Sequence, residues 1–307
     1  MGKPDPPKAV VVAGPTGSGK SALALAAALK LDGAIVNADS LAFYRGFDIG
    51  TAKPGAEERS LVPHHLFDIL DPEDPFDARR YMDLARPLVK ELWEGGTLPL
   101  VVGGTGLYIR SLVQGLFEGP GADPLYRAEL RRMEREGTDL HRLLESLDPE
   151  AAAEIRPRDK VRLERALEVL KNSGEGITSF RRRHALKDQP FRTLNLVVTV
   201  EKDALDAILR ERVRGMLRAG LVDEVRGLLS NGRSPDLKPF QAVGYRETLE
   251  CLGGEADFSL LEEKIYLRTR QLAKRQRSWL KKQLPDPVAV PPDPEAVVGE
   301  IKKFLAR

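Results

Sequence analysis

The segment GPTGSGKS at residues 14–21 constrains the fold most, because of the residues on either side of it. The apolar run AVVVA precedes it and ALALAAALKL follows it, so the sequence predicts a strand, a glycine-rich turn and a helix. In that context G-x-x-x-x-G-K-[ST] binds phosphate, because the glycines let backbone N–H groups surround an anion at the positive end of the helix. Lys20 adds a positive charge, and Ser21 offers a hydroxyl to Mg²⁺. The pattern leaves open whether the bound phosphates are attacked or depart as a leaving group.

Length and composition limit the class of protein. At 307 residues the chain is expected to form about two domains, or one core with a large insertion. Its 48 basic and 46 acidic residues nearly cancel, so a nucleic-acid surface would require local segregation of charge. A single cysteine, Cys251, excludes an intramolecular disulfide and fits a reducing compartment. With no apolar signal core at its start and no membrane-length apolar run, the chain is expected to be soluble and cytoplasmic.

A carboxylate follows the next predicted strand. Residues 33–40, GAIVNADS, form a β-branched run that ends at Asp39, which would place this side chain at the carboxyl edge of the sheet. The alternative is a helix N-cap. Residues 41–54 are rich in glycine and aromatic residues and are predicted to form a loop over the site. Arg45 or Lys53 could reach phosphate from this loop, or be ordinary surface charges.

The run LPLVVGGTG, which starts at Leu98, is informative for what it lacks. In many nucleotide hydrolases the corresponding strand ends in an aspartate that orders Mg²⁺ and water. Here the strand ends in Gly103, Gly104 and Thr105, which weakens the prediction of a hydrolase. The two glycines allow close backbone approach to the site, although glycines that only pack the sheet are the alternative.

The remaining elements predict an α/β core interrupted by helices. Residues 63–70, PHHLFDIL, read as a strand whose adjacent His64 and His65 would face opposite ways, which makes them a poor metal pair. Residues 77–93 read as a helix, 124–172 as several successive helices, 193–200 as a strand, and 205–219 and 221–229 as helices. The basic cluster at residues 181–184, RRRH, is predicted to lie in a loop as a phosphate contact.

Two later segments indicate contact with RNA. In FQAVGYRETL, residues 240–249, Gln241, Tyr245 and Arg246 could read and stack a base, or simply begin a helix. Residues 264–283, KIYLRTRQLAKRQRSWLKKQ, form a predicted helix with eight basic residues and no acidic one. Because it lacks a broad apolar stripe, we favour a polyphosphate backbone over a membrane as its partner.

Together, these motifs resemble those of the bacterial tRNA dimethylallyltransferase (tRNA isopentenyltransferase) family. The matching segments, in the order of the family, are GPTGSGKS, NADSLAFYRGFDIGTAKP, PHHLFDILDP, LVVGGTGLY, RLERALEV, FQAVGYRE and TRQLAKRQRSWL. They extend over nearly the whole chain and are highly specific in combination. Two departures are Ser21, where threonine is common, and Val161, where glutamine is frequent.

The resemblance implies a P-loop NTPase-like parallel sheet, residues 1–121 and 188–307, with a helical domain inserted at 122–187 that contacts tRNA. It also implies transfer of a dimethylallyl group from dimethylallyl diphosphate to the exocyclic amine of the adenosine 3′ to the anticodon, by a monomer that uses Mg²⁺ at Ser21. The implied diphosphate-binding residues are Gly14, Pro15, Thr16, Gly17, Ser18, Gly19, Lys20 and Ser21. The implied catalytic residues are Asp39, as acceptor of the amine proton, Thr105, Lys20 and Arg127. The implied tRNA contacts are Asp39, Ser40, Leu41, Ala42, Thr105, Arg127, Val161, Arg162, Leu163, Glu164, Arg165, Gln241, Ala242, Val243, Gly244, Tyr245 and Arg246.

Three other functions are compatible with parts of the sequence. An ATP-dependent small-molecule kinase would use the same glycine-rich loop, and ATP occupancy of the loop is left open. A prenyltransferase acting on free adenine nucleotides would not need the basic helix. An RNA-binding module without catalysis would have no use for a complete phosphate-binding loop.

Overall fold

Six parallel strands form the central sheet in the computed structural model, which describes residues 5–184 and 188–307. The strands are β1 (Lys8–Ala13), β2 (Gly33–Asn37), β3 (His64–His65), β4 (Leu98–Gly103), β5 (Arg192–Val198) and β6 (Pro287–Val290). Their order across the sheet is β3-β2-β4-β1-β5-β6, with Val10 of β1 beside Leu100 on one side and Leu194 on the other. The chain therefore changes direction of winding at β1, the position where open parallel sheets place their ligands.

Fourteen helices are present in the described part of the chain. They are α1 (Lys20–Lys30), α2 (Ala56–Leu61), α3 (Ala78–Glu94), α4 (Gly106–Gln114), α5 (Pro124–Arg135), α6 (Leu140–Leu147), α7 (Pro149–Glu154), α8 (Lys160–Ser173), α9 (Ile177–His184), α10 (Lys202–Arg218), α11 (Leu221–Ser230), α12 (Tyr245–Leu252), α13 (Leu261–Gln283) and α14 (Pro294–Leu305). Two short 3₁₀ segments, Lys238–Gln241 and Phe258–Leu260, precede α12 and α13. None of these helices is both long enough and apolar enough to cross a membrane.

The core follows from strands that are covered on both faces. Residues 9–13 of β1 and all of β4 are buried, which explains why both read as continuous apolar runs rather than alternating ones. The apolar sides of α1 and α14 pack on the sheet through residues such as Ala24 and Ile301. The predicted α/β sheet is therefore confirmed.

The chain divides into two compact units, residues 1–113 with 190–307, and residues 114–189. The second unit thus begins at residue 114, not at the predicted 122. The connecting segment packs inside it, because the ring centroids of Phe117 and Phe180 lie 5.9 Å apart and Arg165 Nη2 donates to the carbonyl of Pro120 at 2.8 Å. The predicted boundary at residue 187 lies outside the described residues.

The second unit is built from α5–α9, and its described part contains helices without a strand. Four of these helices are capped by aspartates, whose carboxylates accept hydrogen bonds from backbone N–H groups of the first turn. The capping residues are Asp123, Asp139, Asp148 and Asp159. Leu130, Leu144 and Leu163 are buried together at its centre. The unit therefore has a hydrophobic core of its own.

Two local predictions are wrong. Residues 181–184 form the last turn of α9, not a loop, and Arg181, Arg182 and Arg183 pair with Glu154, Glu150 and Glu175. Glutamates of α7 and of the turn between α8 and α9 thus pair with the three arginines that the sequence suggested would contact phosphate. The predicted strand at 63–70 has only two residues, because Leu66 and Asp68 adopt positive φ angles of 63° and 53° that end the extended backbone.

We expect Gly103→Ala to destabilise the fold by about 1–3 kcal/mol, because the new Cβ would lie 2.2 Å from the carbonyl oxygen of Ala38. Gly215→Ala is the control: no atom lies within 4 Å of its Cβ position on α10, so the gain in helix propensity should stabilise by about 0.5–1 kcal/mol. Thermal and urea unfolding measure both changes. Equal stability of the two variants would contradict the close packing at Gly103.

Candidate functional site

The glycine-rich loop, residues 14–21, connects β1 to α1 as the sequence predicts. Gly17 and Gly19 have φ angles of 79° and 81°, a left-handed conformation that side chains disfavour. Ser18 N donates to the carbonyl of Pro15 at 3.2 Å, which curls the backbone into a tight turn. Because α1 begins at Lys20, its unpaired N–H groups and positive dipole end face the loop.

Lys20 carries a positive charge that the protein only partly compensates. Its Nζ donates to the carbonyl of Pro15 at 3.5 Å, a long contact. Burial lowers its pKa to about 8, the carboxylate of Asp39 opposes this shift, and the guanidinium of Arg212 adds to it. Lys20 and Arg212 therefore supply positive potential that would favour an anion in the same space.

Arg212, on α10, is a site residue that the sequence reading missed. Burial lowers its pKa and Asp39 partly restores it, which places all three charged groups in one electrostatic environment. The available signal is weak: Arg212 follows the buried Leu209 by three residues and so shares its side of the helix. The neighbouring Arg210 and Arg214 look equivalent in sequence, but they form surface pairs with glutamates.

Asp39 follows β2 at the carboxyl edge of the sheet, as predicted. Asn37 Oδ1 accepts from Asp39 N at 2.9 Å, and its Nδ2 donates to the carbonyl of Leu66 at 3.0 Å. Asp39 Oδ1 accepts from Leu41 N at 3.1 Å, so a turn rather than a helix follows it. The N-cap alternative is therefore wrong, and the carboxylate lies on the wall of a cavity.

Thr105 and the glycines before it lie against the same turn. Thr105 Oγ1 accepts from Ser40 N at 3.0 Å, and Thr105 N donates to the carbonyl of Ala38 at 3.3 Å. The position of a Cβ on Gly103 is already taken by Ala38, so these glycines do permit close backbone approach. Thr105 thus fixes the turn that carries Asp39.

Gln276 of α13 was also missed. Its Oε1 accepts from Thr16 N at 2.9 Å, and its Nε2 donates to the carbonyl of Gly104 at 3.2 Å. A Cβ on Gly104 would lie 2.4 Å from Nε2, and one on Gly106 would lie 2.1 Å from the ring of Trp279. Gly104 and Gly106 therefore allow the basic helix to dock directly on the glycine-rich loop.

These groups surround a cavity of about 190 Å³. Its lining includes the cations Lys20 and Arg212 and the carboxylate of Asp39, and also the charged side chains Lys53 and Glu58. The predicted residues that line it are Thr16, Lys20, Ser21, Asp39, Leu41, Ala42 and Val243, and the apolar wall is formed by Leu25, Ile35, Phe67, Val102, Met216, Ile265 and Leu272. The other predicted residues of this unit lie outside the lining: Gly14, Pro15, Gly17, Ser18, Gly19, Ser40, Thr105, Gln241, Ala242, Gly244, Tyr245 and Arg246. The cavity can hold an anion beside a small apolar group.

The loop at residues 41–54 contains neither helix nor strand, as predicted, and its cations Arg45 and Lys53 pair with nearby carboxylates. The side chain of Lys53 is 2 % exposed and pairs with Asp48 at 2.7 Å and Asp68 at 2.5 Å. Arg45 pairs with Asp71 at 3.0 Å. Lys53 therefore holds the loop together while it lines the cavity, and its contact with phosphate stays a prediction.

Tyr245 is not placed to stack a base. It is 0 % exposed, its hydroxyl donates to Glu224 at 2.5 Å, and its ring centroid lies 4.9 Å from that of Phe47. Gln241 and Arg246 are exposed, and Arg246 pairs with Glu250. At this position the alternative of an ordinary helix start applies, because α12 begins at Tyr245 with Gly244 as its N-cap.

Arg127 and residues 161–165 belong to the second unit. Arg127 Nε and Nη2 donate to the two oxygens of the buried Glu168 at 2.7 and 2.8 Å. Arg165 also donates to Glu168, and Arg131 pairs with Glu164. The remaining predicted positions there differ in exposure: Val161 is 78 % exposed, Arg162 is exposed and Leu163 is buried.

The donor set fits a magnesium ion that is bound mainly by a substrate. Within residues 5–184 and 188–307, no three His, Cys, Asp or Glu side chains form a metal-binding group. Magnesium bound to phosphates needs only one or two protein oxygens, since water and phosphate complete its shell. Ser21 and Asp39, both on the cavity wall, offer such oxygens.

Comparison with known proteins decides the family. The sequence model described as IPP transferase matches residues 42–283. The chain belongs to the IPP transferase family. A relative from Geobacter metallireducens named tRNA dimethylallyltransferase is 48 % identical over 89 % of each chain.

Solved structures of the IPP transferase family share the fold. The crystal structure of a tRNA isopentenylpyrophosphate transferase from Bacillus halodurans, 35 % identical, superposes with a TM-score of 0.72 and covers 97 % of this chain and 95 % of its own. A eukaryotic dimethylallyltransferase described as acting on tRNA superposes with a TM-score of 0.83 at 27 % identity, and the match covers 98 % of this chain and 80 % of its own.

We expect NMR titration of ¹³C-labelled lysines to give Lys20 a pKa of about 8, with its charge present below that pH and lost above it. Asp39→Asn should lower this pKa further, because it removes the opposing carboxylate, and Arg212→Gln should raise it by removing a repelling charge. Asp83→Asn on the exposed side of α3 is the control and should leave the titration unchanged. Shifts of the same sign in both site variants would contradict the arrangement.

Proposed function

We propose that this member of the IPP transferase family is a tRNA dimethylallyltransferase. It transfers the dimethylallyl group of dimethylallyl diphosphate to the exocyclic amine of the adenosine 3′ to the anticodon and releases diphosphate. The observation that carries this proposal is the cavity in which Lys20 and Arg212 share one space with Asp39 and an apolar wall. The negative charge of a diphosphate complements the cations, and a five-carbon chain can pack against the apolar wall. The carboxylate of Asp39 is then available to accept a proton.

The glycine-rich loop holds the diphosphate as a leaving group. As the allylic C–O bond breaks, negative charge collects on the diphosphate and positive charge develops on the carbon. Lys20, Arg212 and the N-terminus of α1 are fixed before the reaction and lie where the negative charge forms. A half-buried cation acts more strongly here than in water because the protein around it screens its charge less than solvent does.

A magnesium ion would act on the diphosphate as well. Ser21 would hold the ion together with diphosphate oxygens, which agrees with its position in the first turn of α1. When bound, the ion neutralises charge on the departing diphosphate.

That the protein acts as a monomer and in the cytoplasm also stays a prediction.

Asp39 accepts the proton that the amine loses. The nitrogen forms its bond to the allylic carbon while the carbon–oxygen bond breaks, and the N–H proton moves to the carboxylate. The turn held by Asn37 and Thr105 fixes the Asp39 backbone, so the carboxylate is oriented before the base arrives. Thr105 acts here through the backbone of Ser40.

Binding of the tRNA is assigned to the helical unit and α13. The target adenine has to leave its stack to enter a cavity, as in other enzymes that modify bases. Lys274, Arg275 and Arg277 are exposed on α13, and Arg127 with residues 161–165 remains the predicted contact of the helical unit. Gln276 connects α13 to the glycine-rich loop, so the RNA-facing helix also supports the diphosphate site.

The deciding experiment incubates the protein with Mg²⁺, ¹⁴C-labelled dimethylallyl diphosphate and unmodified tRNA, and maps the labelled nucleoside by mass spectrometry. We expect one added five-carbon unit on the adenosine beside the anticodon. Parallel reactions with free adenine nucleotides and with ATP and small-molecule acceptors test the alternatives. RNA without the added unit, or robust ATP turnover, would reject the proposal.

We expect Asp39→Ala to retain tRNA binding and to lose roughly 10²–10⁴-fold in prenyl transfer, because the proton acceptor is removed while the basic helix is untouched. Single-turnover kinetics and filter binding measure the two quantities. Asp83→Ala on α3, which breaks only a surface pair with Arg79, is the matched control. Near-normal turnover by Asp39→Ala would show that another group takes the proton.

A further inference from the structure

Three consecutive backbone N–H groups in the loop at residues 41–54 are bound by side chains from distant helices. Asp48 N and Ile49 N donate to Glu224 Oε2 at 3.0 and 2.9 Å, and Gly50 N donates to the hydroxyl of Tyr245 at 3.1 Å. That hydroxyl in turn donates to Glu224 Oε1 at 2.5 Å. One carboxylate and one phenol thus hold a run of amides that could otherwise bind an anion.

The loop depends on this arrangement because these three amides have no partner in a regular ladder. A charge-assisted hydrogen bond to a carboxylate is stronger than one between neutral groups, and leaving such amides unpaired is costly. The fit is also tight, since a Cβ on Gly50 would lie 2.3 Å from the ring of Tyr245. Burial and the adjacent Glu224 raise the pKa of Tyr245, which keeps the phenol protonated as a donor.

The bound amides lead directly into the cavity wall. Gly50 is both the last amide of the run and the first of five consecutive lining residues that end at Pro54. Glu224 itself lies outside the lining, on α11. The far end of the wall is fixed by Lys53, through its pairs with Asp48 and Asp68. The wall is therefore held at its start by Tyr245 and Glu224 and at its end by Lys53.

We infer that Glu224 is a positioning residue of the active site, which acts through Tyr245 and the backbone of residues 48–50 to fix the cavity wall at residues 50–54. Its effect on turnover rests on the proposed function, whereas its effect on the loop does not. The diphosphate end of the cavity is held separately, by the glycine-rich loop and Gln276. Loss of Glu224 should therefore disturb the wall and spare the affinity for diphosphate.

The test compares Glu224→Ala with Asp223→Ala, its neighbour on α11, whose side chain is 79 % exposed and pairs only with Arg226. Hydrogen–deuterium exchange of residues 47–54 should accelerate about tenfold in Glu224→Ala and stay at the wild-type rate in Asp223→Ala. Glu224→Gln keeps one acceptor for the amides and should recover part of the protection. Tyr245→Phe keeps the ring packing and should expose only the amide of Gly50.

Kinetics separate a positioning role from a structural one. In Glu224→Ala we expect kcat/KM for dimethylallyl diphosphate to fall roughly tenfold, the Kd of inorganic diphosphate with Mg²⁺ to stay within about twofold, and Glu224→Gln to be intermediate. Hydrogen–deuterium exchange that stays at the wild-type rate would overturn the inference. Faster exchange that leaves kcat/KM at the wild-type value in Glu224→Ala, Glu224→Gln and Tyr245→Phe would overturn it as well. If Glu224→Ala does not fold, Glu224→Gln and Tyr245→Phe decide by the same criteria.

Absence of prenyl transfer in the wild type would reject the proposed function alone, because the exchange measurements would still decide the inference.

Discussion

The site depends on a half-buried positive charge at the end of a buried strand. Lys20 begins α1 directly after the glycine-rich loop, and burial lowers its pKa to about 8. Arg212 from α10 adds a second cation, and the carboxylate of Asp39 compensates the two positive charges only in part. An anion that enters this space is stabilised by groups already in place, so the protein need not reorganise to bind it. The geometry around the cavity serves to keep these three side chains together.

The glycines at the end of β4 are the second requirement. A carboxylate at that edge would repel a departing diphosphate and would orient water, as hydrolases require. Here Gly104 and Gly106 leave room for Gln276 and Trp279, so that α13 lies against the glycine-rich loop. These glycines thus leave the edge without a hydrolytic carboxylate and also let the basic helix reach the site.

Much of the fold could be predicted from local sequence, because its signals are local. The apolar runs, the glycine-rich loop and the helix caps each lie within about ten residues of the element they specify. The errors at Tyr245 and residues 181–184 share a different cause. Each of these side chains has a partner that sequence patterns do not reveal, such as Glu224 or Glu154, and that partner decides its role.

By itself, the sequence determined the strand–loop–helix around residues 14–21, the carboxylate after β2, the glycines in place of a carboxylate after β4 and the basic, acid-free run at residues 264–283. These follow from residue type and short-range spacing. Only the tertiary structure decided that Arg212 and Gln276 join the site, and that Tyr245 supports a loop instead of stacking a base. The reason is physical: desolvation and hydrogen-bond pairing depend on which residues meet across the fold, and Gln276 lies 260 residues from Thr16.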